Sequence, residues 1–229
     1  MASKAPKRVL HDHFFKLAKE EGYLARSAYK LKQINEAWNL IKPGNRVLDL
    51  GCAPGAWVQV AGELVGKRGR VVGVDLKPVK TNFGPRVHLL EGDVRKIDPN
   101  ALLEPIRTEQ RPDRLFDVVL SDMAPNTGGV GDAERSAQLC RTVLELVPHV
   151  LRDGGHLAMK VLEGGEYPAL LRETGGLFRK VKGFKPKASR DVSREMYVVA
   201  AGRKPHADMP RRTDPALPPH LRFSESDFR

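Results

Sequence analysis

The sequence predicts a doubly wound α/β fold with a mostly parallel sheet and an antiparallel last strand. Three observations carry that expectation. Short apolar runs alternate with amphipathic helical stretches from Arg46 onward, and the first run leads through a Gly/Pro-rich loop into a helix. The last two runs follow one another with no helical pattern between them, as a closing edge hairpin does.

Apolar residues at helical spacing predict two helices ahead of the core. His11–Glu21 carries Phe14, Phe15, Leu17 and Ala18, and Ser27–Leu40 carries Ala28, Leu31, Ile34, Ala37 and Trp38. A turn at Lys42-Pro43-Gly44-Asn45 then precedes a buried strand, Arg46–Leu50. The loop Gly51–Gly55 opens a helix that runs through Val65. Strands follow at Arg70–Asp75, Arg86–Glu91 and Phe116–Ser121, then a helix at Asp132–Leu151 and a strand at His156–Val161. A helix at Tyr167–Thr174 and strands at Leu177–Phe184 and Glu195–Ala201 complete the pattern. This gives a basic helical extension over residues 1–25, one catalytic domain over 26–204 and a Pro-rich, disordered tail over 205–229.

At 229 residues the chain can bury roughly 70% of its unfolded surface, so no metal or disulfide is required to hold one core together. Cys52 and Cys140 form no C-x-x-C pair, which excludes a disulfide framework and a zinc ribbon and suits a reducing compartment. No apolar run reaches the ~18 residues of a membrane span, and residues 1–8 lack the apolar core of a signal peptide. A cytoplasmic protein with no membrane or metal partner is expected. The net charge of +11 points to an anionic partner, nucleic acid before an acidic membrane surface.

In an open α/β sheet the ligand lies beyond the carboxyl ends of the strands. Reading the residues there gives Asp49-Leu50-Gly51-Cys52-Ala53-Pro54-Gly55, Asp75, Asp93, Ser121-Asp122 and Lys160. The glycine loop has two readings. It could cradle a pyrophosphate at a helix N-terminus, but its spacing is D-x-G-x-x-P-G, and the flanking Asp49 is unfavourable to a phosphate. An acid-flanked loop better suits a ligand that joins a cationic amino-acid end to a ribose, as S-adenosylmethionine does. Asp75 would then accept from the ribose hydroxyls, and Asp93 would meet the adenine amino group.

Asp122 lies in Ser121-Asp122-Met123-Ala124-Pro125-Asn126. An amino-group methyltransferase would place an N/D-P-P-aromatic tetrapeptide here, so Ala124 and Asn126 argue for an oxygen acceptor. Lys160 interrupts an apolar strand, where a lysine is costly unless it is paired or functional. An ion pair with Asp122 is the structural alternative. If the last strand runs antiparallel, its first residue, Glu195, comes to the same edge; an ordinary solvated carboxylate is the plainer reading of that residue alone. Basic residues cluster before it (Arg179, Lys180, Lys182, Lys185, Lys187, Arg190, Arg194) and on the first helices (Lys16, Lys19, Arg26, Lys30, Lys32). They could grip RNA phosphates or form a solvated face, and the scarcity of aromatics favours folded RNA over a stacking groove.

Five stretches resemble the FtsJ/RrmJ-type ribosomal RNA ribose 2′-O-methyltransferases, in family order over about His11 to Lys204. They are Arg26-Ser27-Ala28-Tyr29-Lys30-Leu31, Asp49 to Trp57, Ser121 to Asn126, Lys160-Val161, and Ser193-Arg194-Glu195-Met196-Tyr197-Val198-Val199-Ala200. The resemblance implies a Rossmann-like S-adenosylmethionine-dependent methyltransferase fold and a catalytic tetrad of Lys30, Asp122, Lys160 and Glu195. It implies S-adenosyl-L-methionine as cofactor, held by Gly55, Trp57, Asp75, Asp93 and Asp122. The implied substrate is the 2′-hydroxyl of an A-loop uridine in 23S rRNA within the large (50S) ribosomal subunit, modified by a monomer. Another RNA, tRNA or a cap, and a non-catalytic RNA-binding role remain as alternatives.

Overall fold

The computed structural model describes residues 7–125, 131–189 and 193–205. Its centre is a seven-stranded sheet of β1 (Arg46–Leu50), β2 (Arg70–Asp75), β3 (Val87–Glu91), β4 (Phe116–Ser121), β5 (Leu151–Leu162), β6 (Phe178–Phe184) and β7 (Glu195–Arg203). The order is β3-β2-β1-β4-β5-β7-β6. β1 to β5 pair in parallel, and β7 runs against both β5 and β6. The predicted doubly wound sheet with an antiparallel last strand is therefore the observed one.

β1 and β4 are buried along nearly their whole length because helices cover both faces, as a parallel sheet requires. On one face Val47, Val71, Val118 and Leu120 pack against α2 (Ala28–Trp38) and α3 (Ala56–Val65). On the other, Leu48, Leu50, Val72 and Val119 pack against α4 (Pro99–Leu103), α5 (Asp132–Val150) and α6 (Tyr167–Leu177). Each such leucine or valine contributes about 1.5–3 kcal/mol by burial. α2 ends where Asn39 turns left-handed, its N–H returning to Asn35 O at 2.7 Å. Asp98 caps α4, with Pro99 in its first turn.

The largest departures from the sequence expectation are at β5 and α4. β5 begins at Leu151, directly after α5, and not at His156. Leu151 pairs with Phe116, and a register shift between Phe116 and Val118 carries the strand through Asp153-Gly154-Gly155. α4 is absent from the sequence reading because five residues are too few to show a helical period.

α1 (Lys7–Glu20) packs through Phe14, Leu17 and Ala18 on Tyr29 and Ala188. Residues 22–24 are stitched to α3: Gln59 Nε2 donates to Gly22 O at 2.9 Å, Tyr23 Oη to Glu63 Oε2 at 2.7 Å, and Leu24 N to Gln59 Oε1 at 3.2 Å. Residues 22–24, on the extension side of the predicted boundary, are thus bonded to α3. Of the expected tail, residues 206–229 lie outside the described residues. Among the described residues no helix is long and apolar enough to cross a membrane, and no cluster of side chains is arranged to hold a metal. Cys52 and Cys140 are both buried and free.

Candidate active site

The carboxyl ends of β1, β2 and β4 surround a cavity of about 560 Å3. Gly51, Ala53, Asp75, Asp93, Asp122 and Met123 are among the residues that line it. The glycine loop forms one wall, and its backbone explains its composition. Gly51 has φ 76°, and a Cβ there would stand 2.4 Å from Met123 Cγ. Gly55 has φ 111°, and its Cβ would stand 2.7 Å from the Phe83 ring. Both positions need glycine for conformation and for space.

Asp75 supports the loop as well as facing the cavity. Its Oδ2 accepts from Ala53 N at 2.9 Å and its Oδ1 from Lys77 N at 2.8 Å. A carboxylate has about four lone-pair sites, so acceptor capacity remains for ribose hydroxyls. Asp93 is gripped by Arg95, Nε to Oδ1 at 2.9 Å and Nη2 to Oδ2 at 2.6 Å. This grip holds its carboxyl down at about 2. Arg95 was not among the predicted residues; its spacing of two from Asp93 was the available signal.

Gly55 and Trp57 are not among the cavity's lining residues. They lie behind the loop, where Trp57 is buried, donates its indole N–H to Ser27 O at 2.8 Å and stacks on Tyr197 with centroids 5.7 Å apart. Trp57 thereby ties α3 to the start of α2 and to β7.

The four dispersed residues Lys30, Asp122, Lys160 and Glu195 come together as two ion pairs. Lys30 Nζ meets Glu195 Oε2 at 2.9 Å, and Lys160 Nζ meets Asp122 Oδ1 at 3.1 Å. Lys160 also donates to the Asp122 carbonyl. The side chains of Lys30 and Lys160 are only 6% and 7% exposed, so both need these partners. The antiparallel register delivers Glu195: it pairs with Leu162, two residues beyond Lys160. Burial would raise the Glu195 carboxyl, but Lys30, Lys160 and Ser193 together hold it below the usual carboxylate range.

Tyr197 was not predicted as a site residue. It pairs with Lys160 across the strands and donates its hydroxyl to Asp122 Oδ1 at 2.8 Å. Burial foremost, then Asp122, pushes its phenol far up, so it remains a donor. A fully buried tyrosine hydroxyl in an apolar strand demands a partner. Sequence shows the demand without showing which residue meets it.

The basic stretch before Glu195 is corrected in part. β6 runs toward the site, so Arg179 and Lys180 lie at the opposite end of the sheet, where Lys180 pairs with Ala201 and covers the Trp38 ring at 4.9 Å. Lys185, Lys187 and Arg194 are exposed on the site's edge, and Ala188 N anchors their connection to Gln33 Oε1 at 3.1 Å. Arg190 and Asn126 lie outside the described residues. On the first helices Lys32 is engaged by Glu21 at 3.1 Å and by the Tyr23 ring, whereas Lys16 and Lys19 are exposed.

Two features fit this site to a cationic cofactor with a ribose. Asp75, Asp93 and Asp122 line the cavity with carboxylates, and Gly51 leaves a cradle that a Cβ would fill.

Comparison with known proteins places the chain among methyltransferases. Residues 23–203 match the FtsJ-like methyltransferase family. The ribosomal RNA large subunit methyltransferase E of Syntrophobacter fumaroxidans is 50% identical over 193 residues, 83% of this chain and 95% of that protein. Its counterpart from Desulfatibacillum aliphaticivorans is 40% identical over 205 residues, 89% of this chain and 96% of that protein. A crystal structure of a Plasmodium falciparum protein described as a ribosomal RNA methyltransferase superposes with a TM-score of 0.69 at 27% identity, over 79% of this chain and 98% of that one. Aeropyrum pernix fibrillarin, crystallised with bound S-adenosyl-L-methionine, shares the fold at a TM-score of 0.57 and 21% identity, over 76% of each chain. With the glycine loop, the acidic strand ends and the paired lysines assembled on one sheet edge, the chain belongs to the FtsJ-like methyltransferase family.

Proposed function

We propose that this protein transfers a methyl group from S-adenosylmethionine to the ribose 2′-hydroxyl of an A-loop uridine in 23S rRNA, on the large ribosomal subunit. The observation that carries the reading is the pairing of Lys160 with Asp122 and of Lys30 with Glu195, with Asp122 itself lining the acidic cavity. The relatives named as large-subunit RNA methyltransferases support the choice of RNA.

The cofactor supplies an electrophilic methyl on a sulfonium, so the protein has to orient one oxygen and let one proton leave. Asp75 and Asp93 hold the ribose and adenine ends from the β2 and β3 strand ends, and Gly51 gives them room. Gly55 and Trp57 shape the loop from behind. Lys160 has three positions on its nitrogen; Asp122 occupies two, and the third orients the 2′-hydroxyl oxygen, whose proton passes to water as the methyl moves from sulfur to oxygen. Tyr197 keeps Asp122 from turning away. Lys30 and Glu195 form the second wall against the ribose. Lys185, Lys187 and Arg194 contact phosphates on the same edge and position the RNA without reading bases. In this reading the protein acts as a monomer without a metal.

Transfer of labelled methyl to 50S particles, free 23S rRNA and tRNA in parallel, followed by mapping of the modified nucleotide, tests the proposal. Label at an A-loop ribose of the 50S particle is expected. Label confined to tRNA, or none in any RNA, overturns it.

A further inference from the structure

Three carboxylates surround the glycine loop, and their environments differ. Asp75 accepts two backbone N–H groups. Asp122 accepts from Tyr197 and Lys160. Asp49, paired in register with Gly73 of β2 and Leu120 of β4, is fully buried and has no donor on either oxygen among the described residues.

A fully buried carboxylate ion with no protein donor costs several kcal/mol, and the neutral acid costs far less. Burial first, then the charges of Asp122 and Asp75, push the Asp49 carboxyl far above the usual range. Among the described residues no donor offsets this. Cys52, on the loop, is itself pushed up by burial and by Asp49 and Asp75, and so stays a neutral thiol. Lys160 of β5 and Tyr197 of β7 are committed to Asp122, and Lys30 of α2 to Glu195. From α3, Trp57 spends its N–H on Ser27.

We propose that Asp49 is a proton-exchanging residue that selects the charged methyl donor: neutral in the empty site, it releases its proton to solvent when S-adenosylmethionine binds. This rests on the proposed cofactor. The donor carries a sulfonium, an ammonium and a carboxylate, a net charge of about +1 at neutral pH, and the product thioether lacks the sulfonium charge. Positive charge entering the cavity beside Asp75 and Asp122 relieves the repulsion that keeps Asp49 protonated. After methyl transfer that charge is gone, Asp49 takes a proton back from solvent, and the product is held less tightly than the donor.

Calorimetric titration of the full chain with S-adenosylmethionine and with S-adenosylhomocysteine, at pH 7 in buffers of different ionisation enthalpy, reads the protons released. The ligands share an ammonium, so its contribution cancels in the comparison. In the wild type the donor is expected to release up to about one proton more than the product, and donor affinity is expected to rise by up to about tenfold per pH unit. In Asp49→Asn the excess release and the rise should both vanish. Equal release by the two ligands, or an excess that survives Asp49→Asn, overturns the proposal. Should that variant not fold, carbon NMR of aspartate-labelled wild type decides: a protonated carboxyl signal that moves to the ionised position with donor supports the proposal, and its absence refutes it. Absence of any binding heat would instead remove the cofactor reading on which this stands.

Discussion

Tyr197 and Lys160 face one another across the β5–β7 pairing and both bind the same oxygen, Oδ1 of Asp122. Asp122 is thus held from two strands while it lines the cavity from the end of a third. Substituting Tyr197→Phe removes one donor and leaves Lys160 in place. A hydrogen bond to a charged group is worth about 1.5–3 kcal/mol. We expect kcat for methylation to fall roughly tenfold or more, with the fold intact by circular dichroism. Wild-type kcat in this variant would show that the Tyr197 bond is dispensable.

Lys160→Ala is expected to lower methylation by at least about hundredfold, the scale of losing a group that orients the attacking oxygen. Cofactor affinity, measured by calorimetry, should stay within a few fold, because Lys160 is not among the residues lining the cavity. Retained turnover would remove Lys160 from its assigned role. For Asp122→Ala both quantities should suffer, since Asp122 serves the cavity and the lysine.

Glu195 gives the site an acid-sensitive pair. Its carboxyl is lower in the folded protein than in the unfolded chain, where it lies near 4.3. Its stabilising contribution is therefore complete above about pH 4.3 and is lost as pH falls through the lowered folded value. Glu195→Gln should reduce melting temperature at pH 7 and flatten this acid limb, as a melting series from pH 7 to 3 would show. An unchanged limb would mean that the Lys30 pair contributes nothing to stability.

Gly51→Ala places a methyl against Met123 and forces a positive φ on a residue that disfavours it. The backbone part alone costs about 1 kcal/mol. Cofactor binding should weaken more than stability does, since the clash sits in the cavity wall. Equal losses in affinity and in folding free energy would point to a purely structural glycine.

The exposed lysines divide by the direction of β6. Lys187→Ala should weaken RNA binding and reduce the salt slope of log affinity by about one unit, and Lys180→Ala should leave both unchanged. Equal effects of the two substitutions in a salt titration would mean that the RNA covers the opposite edge as well.

Much of this arrangement was legible from the chain. β1, β2 and β4 have the predicted bounds, because a strand buried on both faces shows itself as a short run of mainly apolar residues. Asp75, Asp93, Asp122 and Lys160 were found by one topological rule, that ligands meet a parallel sheet at its carboxyl edge. Glu195 depended on the further condition that the last strand reverses, and it does.

By itself, then, the sequence determined the sheet, the edge that bears the site, and that Asp75, Asp93, Asp122, Lys160 and Glu195 belong to that edge. Only the tertiary structure decided how those charges are shared. It pairs Lys160 with Asp122 and Lys30 with Glu195, commits Tyr197 to Asp122 and Trp57 to Ser27, and leaves Asp49 with no donor among the described residues. It also sends Arg179 and Lys180 to the far end of β6. The physical reason is the reach of the two kinds of information. Burial and periodicity act along a few neighbouring residues and are written in their types, whereas a hydrogen bond or ion pair is settled within about 3 Å between groups as much as 165 positions apart.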